Sequence, residues 1–244
     1  MDEKNYVVLL TASINPIGVP FLKRNDCQKR ENDYIISLSN WLKHKETKIV
    51  FCENSGYDLS KIKNTIENSG HTNLEILQFC GNEKAATLGK GYSEVIIIDY
   101  ALANSRVIND STYILKVSGR NYIENFYQYE KWLDNNKEAF INVNLLHNLR
   151  FADSRFFGFK REFFQRYLLE YKKYINDFEK VWIEHALAKA TLQAIIDGNI
   201  WEPLPYLPRL NGFSGSSGHK IRQQFHRYIR SAVRHMIYRY LIAK

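Results

Sequence analysis

The chain has 244 residues, which suits one large domain or one domain with a C-terminal extension, and its apolar share of 45% excludes an intrinsically disordered protein. The net charge is +8, and seven Lys or Arg with no Asp or Glu lie in residues 220–244, so that only about +1 (8 − 7) remains for residues 1–219. The basic character therefore belongs to the C-terminal segment, which implies an anionic partner there.

Apolar runs of strand length alternate with stretches of helical spacing along most of the chain. Strands are predicted at residues 6–10, 48–52, 73–79 and 112–117, and helices at residues 31–44, 58–69 and 92–104. Residues 95–98 (VIII) taken alone also fit a strand. Farther along, residues 126–133 are predicted to be helical, and residues 140–146 and 155–159 are strand-like. This alternation predicts an α/β fold with a mostly parallel central sheet and helices on both faces.

In such a sheet, ligands bind beyond the carboxyl ends of the strands. The loops to consider are therefore residues 11–16, 53–56, 81–91 and 118–120.

The number of cysteines indicates the redox state of the cellular compartment in which the protein works. Three cysteines (Cys27, Cys52 and Cys80) are too few for a disulfide framework, and two of them lie in apolar runs, which predicts buried thiols in a reducing compartment. The sequence shows neither a signal-peptide pattern nor a run of the ~20 apolar residues that a bilayer span needs. We expect a cytoplasmic protein, with attachment to the inner face of the membrane as the alternative if the basic segment binds lipid.

Five segments occur in an order that is familiar from one class of enzyme. They are LLTASINP at residues 9–16, GKGYSE at 89–94, YILKVSGR at 113–120, ADSRFFGF at 152–159 and WIEH at 182–185. With them the chain resembles small bacterial glycosyltransferases of surface polysaccharide assembly (O-antigen, capsule or lipooligosaccharide), which have the single Rossmann-like domain called GT-A. The order of all five carries the resemblance, since no single segment is specific.

The resemblance implies a GT-A-like catalytic domain, which we place in residues 1–210. For residues 211–244 the composition and the helical spacing of the apolar residues predict a Gly/Ser loop followed by a basic amphipathic helix. It implies transfer of a hexose-type sugar from a nucleotide-sugar, most simply a UDP-sugar, to a glycan or lipid-linked acceptor. Most GT-A enzymes hold a divalent metal with Asp-x-Asp after the fourth strand. No Asp-x-Asp occurs in this chain, which makes a metal cofactor doubtful.

The place of that metal motif is taken by residues 116–120 (KVSGR). Lys116 and Arg120 are predicted to neutralise the charge that builds on a departing nucleoside diphosphate. Gly119 would let the backbone approach the ligand closely. The alternative is an ordinary strand end followed by a turn with a solvated arginine.

Donor binding is predicted in three loops. In the resembling enzymes the loop after the first strand contacts the base and ribose, which here points to Thr11, Ala12, Ser13 and Asn15 unless the loop is a plain turn. Glu53 after the second strand is a weaker candidate for the same contacts. The helix start at residues 89–94 is predicted to bind phosphate through its backbone N–H groups, with simple helix capping as the alternative. Its candidate residues are Lys90, Gly91, Tyr92 and Glu94, the last able to bond a sugar or ribose hydroxyl instead.

Binding and activation of the acceptor are predicted at residues 153–155 and 184–185. Asp153 and Arg155 either bind the acceptor or form a structural ion pair, and the ion pair is the better prediction. Glu184 is the candidate general base, because the resembling enzymes place a carboxylate at a helix start below the acceptor, and such a base gives inversion. A solvated helical Glu is the alternative. His185 could tune that base, bind phosphate or ligate a metal, although a lone histidine is more often structural.

Two other functions stay open. A sugar nucleotidyltransferase shares the fold type, but its usual glycine-rich, basic loop directly after the first strand is missing from residues 11–16. A non-enzymatic module could bind nucleic acid or a membrane through the basic segment, whose apolar residues recur at helical spacing; these residues could equally pack on the body. The near-neutral body shows no nucleic-acid motif, so no specific nucleic-acid partner is expected.

Overall fold

The structure is a computed structural model that describes residues 5–16, 18–135 and 139–221 and the isolated positions 229, 232, 233, 236 and 240. Its strands are β1 (Tyr6–Ala12), β2 (Lys48–Glu53), β3 (Leu74–Gln78), β4 (Tyr113–Ser118), β5 (Asn121–Ile123), β6 (Ile141–Asn142), β7 (Leu145–Leu146), β8 (Phe151–Ala152), β9 (Phe156–Phe159), β10 (Trp201–Glu202) and β11 (Leu210–Gly212). Its α-helices are α1 (Cys27–Trp41), α2 (Ser60–Ser69), α3 (Ala85–Leu88), α4 (Lys90–Asn104), α5 (Arg106–Asn109), α6 (Phe126–Asn135), α7 (Arg161–Phe163), α8 (Leu169–Tyr171) and α9 (Ile183–Ile196). A π-helical turn (Phe164–Leu168) and 3₁₀ turns (Lys172–Tyr174 and Asp177–Glu179) complete the helical segments.

The centre of the molecule is a seven-stranded sheet in the order β10-β6-β9-β4-β1-β2-β3. The four strands β4, β1, β2 and β3 are parallel to one another, and β10 is parallel to β6. β9 lies between these two groups and is antiparallel to both β4 and β6. The predicted α/β fold with a mostly parallel central sheet is therefore confirmed.

Two hydrophobic cores cover the two faces of this sheet. Alternate residues of β1 point to opposite faces, with Val7 and Leu9 in one core and Val8 and Leu10 in the other. α4 and α9 pack on the first face, and α1, α2 and α6 pack on the second. Each fully buried Leu or Val contributes about 1.5–3 kcal/mol, so this strand is fixed from both sides. Its carboxyl end is consequently a rigid base for a binding site.

The predicted elements match the observed ones with a few informative differences. Residues 95–98 lie inside α4, because the neighbouring apolar residues also follow helical spacing and pack on one face. Residues 140–146 divide into β6 and β7, which belong to different sheets. Cys52 is buried in β2, but Cys80 lies beyond β3 and is exposed, so the prediction of a second strand thiol is wrong.

The C-terminal part of the described chain packs on the body. β11 pairs with β5, and an isolated bridge joins Phe213 to Lys220. The predicted boundary between residues 210 and 211 falls inside β11 and stays a prediction. Most of the predicted basic helix lies outside the described residues. The positions that are described, 229, 232, 233, 236 and 240, are helical. None of the helices in the described part of the chain has both the length and the apolar character needed to cross a bilayer.

Candidate functional site

A pocket lies beyond the carboxyl ends of β1 and β4, where the fold predicts ligand binding. The side chains and backbone that line it are Thr11, Ala12, Ser13, Pro16, Val19, Leu22, Arg30, Tyr34, Lys90, Ser93, Glu94, Ile97, Ser118, Gly119 and Arg120. Seven of these were predicted from the sequence: Thr11, Ala12, Ser13, Lys90, Glu94, Gly119 and Arg120. The parallel arrangement of β1 and β4 brings residues from distant segments to this one edge.

Gly119 is required by a close approach of two backbone segments. Its N–H donates to the Thr11 carbonyl at 2.8 Å, and a Cβ at this position would lie only 2.8 Å from the same oxygen. A side chain would therefore separate the loops that follow β1 and β4. The glycine was predicted to let a ligand approach, and the structure places it between two protein segments that form the pocket floor.

Helix α1 supplies two pocket residues that the sequence did not indicate. Arg30 is buried and donates to the carbonyls of Ser13 and Arg24, and the Tyr34 hydroxyl accepts from Ser13 N–H at 2.9 Å. Burial lowers the pKa of Arg30, and the neighbouring charge of Arg120 lowers that pKa further. The two guanidinium groups are thus close enough to interact. They give this side of the pocket a positive potential.

Lys116 does not reach the pocket as predicted. Its side chain is 0% exposed, and its ammonium group forms an ion pair with Glu94 and donates to the Ser154 carbonyl at 2.6 Å. The alternation of β4 points Lys116 into the sheet face below the pocket rather than toward it. The predicted contact of Lys116 with phosphate is therefore corrected: in this position the lysine compensates a carboxylate.

Glu94 stands between that buried lysine and the pocket. One carboxylate oxygen, Oε1, accepts from the Thr11 hydroxyl at 3.0 Å and from the Ser118 hydroxyl at 3.5 Å, in addition to the Lys116 ion pair. Burial on its own would raise the pKa of Glu94, but Lys116 and Thr11 together hold that pKa below its ordinary value. Glu94 is consequently a carboxylate at neutral pH.

The remaining cations of the pocket contact the glycine- and serine-rich segment 213–218. Arg120 Nη1 donates to the Phe213 carbonyl at 3.3 Å, and the Lys90 ammonium donates to the Ser216 hydroxyl. Arg24 N–H donates to the Gly215 carbonyl at 3.3 Å. Segment 213–218 therefore lies against the basic side of the pocket. The cations Arg120 and Lys90 donate there to a carbonyl and a hydroxyl of the segment, both of them neutral acceptors. An anionic ligand could take the place of these acceptors.

The start of α4 is capped by a carboxylate. Asp177 Oδ2 accepts from Lys90 N–H at 3.0 Å, and a Cβ on Gly89 would lie 2.4 Å from the Asp177 side chain. Burial raises the pKa of Asp177, and the charge of Lys90 partly offsets this rise. The capping alternative thus describes this helix start, although through Asp177 and not through Glu94. A phosphate there would have to displace Asp177.

Glu184 lies in the first turn of α9 and accepts from the Ser154 hydroxyl at 2.8 Å. Burial raises its pKa; the charge of Glu94 raises it further, while the Ser154 hydroxyl and Lys90 lower it. Ser154 also accepts from Lys116 through its carbonyl, so one residue joins Glu184 to the ion pair behind the pocket. Glu184 is therefore a half-buried carboxyl coupled to the pocket, and not a fully solvated helical residue.

The other predicted acceptor residues, Asp153, Arg155 and His185, all make contacts within the protein. Arg155 and Asp153 form the predicted ion pair with two hydrogen bonds of 2.8 and 2.6 Å. His185 Nδ1 accepts from Trp182 N–H at 3.1 Å, and the two rings stack with centroids 5.2 Å apart. The histidine therefore helps to cap α9, which is a structural role.

Four predicted donor residues lie outside the pocket lining. Glu53 is fully buried and accepts from Ile14 N–H at 3.0 Å, so it holds the loop after β1 rather than facing a base. Asn15 N–H donates to the Ser55 hydroxyl at 3.0 Å. Gly91 packs against Ile183 N at the start of α9, and Tyr92 packs against the core. These residues position the site without lining it.

Within the described ranges, no group of three or more His, Cys, Asp or Glu side chains is arranged to hold a metal ion. The cations that line the pocket, Arg30, Lys90 and Arg120, are the groups available there to bind a phosphate.

Comparisons with known proteins give similarity in structure only. No family model matches the chain, and no curated protein matches its sequence. An inositol-1-phosphate CTP transferase from T. maritima aligns with a TM-score of 0.49 and 11% identity over 83% of this chain and 85% of that chain. A protein from Desulfovibrio desulfuricans described as a nucleotide-diphospho-sugar transferase aligns with a TM-score of 0.47 and 8% identity, over 82% of this chain and 80% of that chain. A cytidylyltransferase from Leptospira borgpetersenii aligns with a TM-score of 0.41 and 10% identity, over 84% of this chain and 77% of that chain.

These three proteins are named as transferases of nucleotides or nucleotide-sugars, and none is described as a glycosyltransferase of surface polysaccharides. Two of the three names correspond to nucleotidyl transfer, the alternative left open by the sequence. With TM-scores of 0.41 to 0.49 and identities of 8 to 11%, the similarity assigns neither a family nor an activity to this chain.

Proposed function

We propose that this chain is a nucleotide-dependent sugar transferase whose pocket binds the phosphates of its nucleotide ligand. The observation that carries the proposal is the charge of the pocket. Among the described residues that line it there are three cations and one carboxylate, Glu94, whose charge is already compensated by Lys116. A pocket with this excess of positive charge favours a ligand with two or more negative charges. The small residues Ala12 and Ser13, beside Tyr34, leave space for a base.

Of the two candidate reactions, glycosyl transfer and sugar nucleotidyl transfer, we propose glycosyl transfer from a nucleotide-sugar. The reason is Glu184, a half-buried carboxyl with a raised pKa that is coupled to the pocket through Ser154 and Lys116. Deprotonation of an acceptor hydroxyl needs such a base, and a base of raised pKa takes the proton more readily. Arg120 and Lys90 then stabilise the departing diphosphate. The expected outcome at the sugar carbon is inversion. A glycan or lipid-linked acceptor is part of this proposal.

Sugar nucleotidyl transfer is the second candidate, and Arg30 favours it. The usual basic loop after the first strand is absent, but α1 places this arginine beside that loop. In this reaction a sugar 1-phosphate attacks a nucleoside triphosphate and releases pyrophosphate. The attacking phosphate is already ionised, so Glu184 would have no role in proton removal.

A thermal-shift screen followed by product analysis tests the proposal. The full chain is melted with each nucleoside mono-, di- and triphosphate and with a panel of nucleotide-sugars, with and without Mn²⁺. A ligand at 100 times its Kd is expected to stabilise the fold by about 2.7 kcal/mol. If none raises the melting temperature, the proposal is wrong.

Products then separate the two reactions. Release of a nucleoside diphosphate from a nucleotide-sugar supports glycosyl transfer. Release of pyrophosphate from a triphosphate and a sugar 1-phosphate establishes the second candidate instead. The Mn²⁺ arm shows whether either reaction needs a metal.

A further inference from the structure

The two oxygens of the Glu94 carboxylate have different surroundings. Oε1 receives the Thr11 hydroxyl, the Ser118 hydroxyl and the Lys116 ammonium. In the part of the chain that the structure describes, no group donates a hydrogen bond to Oε2. The side chain is 21% exposed and lines the pocket. One oxygen is therefore held by the protein, and the other is available to a ligand.

Lys116 explains why this arrangement is fixed. Its side chain has no exposure, and its ammonium contacts Glu94, the Ser154 carbonyl at 2.6 Å, the Ser118 hydroxyl at 3.4 Å and the Phe157 ring at 5.7 Å from the centroid. Buried ion pairs of this kind seldom add stability compared with apolar residues of similar size. A buried lysine under a pocket carboxylate is therefore better explained by the position it gives to that carboxylate.

A carboxylate is otherwise out of place among phosphate-binding cations. Lys116 compensates its charge, but Oε2 can only accept hydrogen bonds and a phosphate oxygen has none to offer, so the ligand group that suits it is one that donates hydrogen bonds. The donors that a nucleotide-sugar offers to a carboxylate oxygen are the N–H groups of its base and the hydroxyl groups of its ribose and attached sugar, and the hydroxyls are the donors that every nucleotide-sugar carries, whichever base it has. Both sources present neighbouring hydroxyls within reach of a single oxygen.

We propose that Glu94 Oε2 accepts hydrogen bonds from hydroxyl groups of the nucleotide ligand, and that Lys116 is a positioning residue that fixes the carboxylate for this contact. The inference rests on the proposed function. It assigns to Glu94 the recognition of hydroxyl groups, by which the pocket would distinguish a ligand that carries them from one that lacks them. It changes the role of Lys116 from a neutraliser of phosphate to a support for hydroxyl recognition.

Calorimetric titration of the full chain tests the inference. The ligands are the nucleoside diphosphate that stabilises the protein most in the thermal-shift screen, its 2′-deoxy form and its glucose ester. The wild type is expected to prefer either the ribonucleotide over the deoxy form or the glucose ester over the free diphosphate by at least tenfold, which is about 1.4 kcal/mol. The first preference identifies the ribose as the source of the hydroxyls, and the second identifies the sugar.

The variants separate recognition from folding. Glu94→Gln and Lys116→Met are each expected to reduce that preference to less than threefold. The double variant Glu94→Gln with Lys116→Met removes both buried charges, so its melting temperature without ligand shows that the fold persists. Asp58→Asn, an exposed carboxylate outside the pocket, serves as the matched control and keeps the preference.

Two results would overturn the inference alone: a wild type that binds the diphosphate without either preference, or a Glu94→Gln protein that keeps the full preference. A wild type that binds no nucleotide would instead refute the proposed function. A Lys116→Met protein with unchanged discrimination would show that the lysine has only a structural role.

Discussion

Glu184 has two properties that a proton acceptor needs, a hydrogen bond that fixes its orientation and a pKa raised by burial. Glu184→Gln keeps the shape and the bond to Ser154 but cannot take a proton. We expect kcat to fall by about 10²–10⁴-fold while nucleotide affinity changes less than twofold. Steady-state kinetics and titration with the product nucleotide measure the two quantities. A variant that keeps more than a tenth of the activity would remove Glu184 from the mechanism.

The pH dependence of activity follows from the same pKa shift. A base acts when ionised, so the acid limb of kcat/KM should lie at a higher pH than for an ordinary carboxyl. The Ser154 hydroxyl stabilises the ionised form and lowers the pKa. Ser154→Ala is therefore expected to move the acid limb to still higher pH. An acid limb that stays in place in this variant would contradict the assignment of the limb to Glu184.

Glu184 is also expected to cost stability. Its folded pKa is raised, so the folded state binds the proton more tightly than the unfolded chain does. Below the ordinary pKa of a carboxyl the group is protonated in both states, and stability is lost as the pH rises from that value through the raised one. Glu184→Gln should therefore melt like the wild type in acid and at a higher temperature at neutral pH.

Melting curves across this pH range provide the test, with Glu162→Gln as the control because Glu162 is an exposed carboxylate on a short helix. The control is expected to leave the pH profile unchanged. A Glu184→Gln protein less stable than the wild type at neutral pH would show that the carboxylate is compensated in the fold.

Among the elements, the start of α4 shows how a glycine fixes a helix in place. Gly89 has φ 96° and ψ −179°, a region reserved for glycine, and its Cα faces Asp177 so closely that a Cβ would lie 2.4 Å away. Gly70 ends α2 with φ 64° and has nothing within 4 Å of a Cβ. Both positions have a positive φ, but Gly70 (φ 64°, ψ 22°) lies in the left-handed helical region that other residues can enter at a modest cost, whereas Gly89 does not; they also differ in packing.

We therefore expect Gly70→Ala to cost about 1 kcal/mol from backbone strain, and Gly89→Ala about 3 kcal/mol because its backbone strain is larger and a clash with Asp177 is added. For a chain of this length each kcal/mol lowers the melting temperature by roughly 2–4 °C. Thermal unfolding of the two variants measures the difference. Equal losses would show that neither the backbone conformation at Gly89 nor its contact with Asp177 adds to the cost.

The elements also show which parts of the site the sequence could predict. The loops after β1 and β4 were recognisable, because a short apolar run followed by polar and glycine residues marks a strand end. Arg30 and Tyr34 were not: Arg30 lies on α1 near other polar residues that are buried, such as Asp33, and Tyr34 belongs to the apolar stripe of the helix predicted at residues 31–44, which indicated a core position. A helical pattern of polar residues normally indicates a solvated face, and only the tertiary packing reverses that.

The burial of Lys116 was unpredictable for a related reason. Its compensating partner, Glu94, is 22 positions away on α4, and pairing of this kind depends on how the helix packs against the sheet. The Asp177 cap is likewise a contact between residues far apart in the chain. Local patterns thus predict strand ends and helices, whereas the charge state and direction of each site residue follow from nonlocal contacts.

For the whole molecule, the order of elements was enough to predict the α/β class, but the antiparallel insertion of β9 between β4 and β6 was not predicted. The aromatic run in β9 indicates a buried strand and carries no information on its direction. Strand order and direction depend on the route of the connections, which sequence periodicity does not specify.

The C-terminal segment, residues 220–244, has the charge and the apolar residues of a second binding surface outside the pocket. Residues 220–244 carry seven Lys or Arg and no acidic residue. Ile229, Val233, Met236 and Tyr240 are exposed and follow one another at intervals of four, three and four residues, which places them on one face of a helix. An exposed apolar face in a basic segment is typical of helices that lie on anionic membranes. Each cation near such a surface contributes about 1 kcal/mol.

We therefore predict that the full chain sediments with vesicles containing anionic lipid and not with vesicles of neutral lipid. Met236→Asp should weaken this binding without lowering the melting temperature, because Met236 is 64% exposed and its replacement disturbs no core. Binding should also fall as salt is raised, since the cations act through long-range attraction. Equal binding to neutral vesicles would exclude the charge contribution. Tight binding to duplex DNA at physiological salt, unaffected by Met236→Asp, would identify the basic segment as a nucleic-acid contact instead.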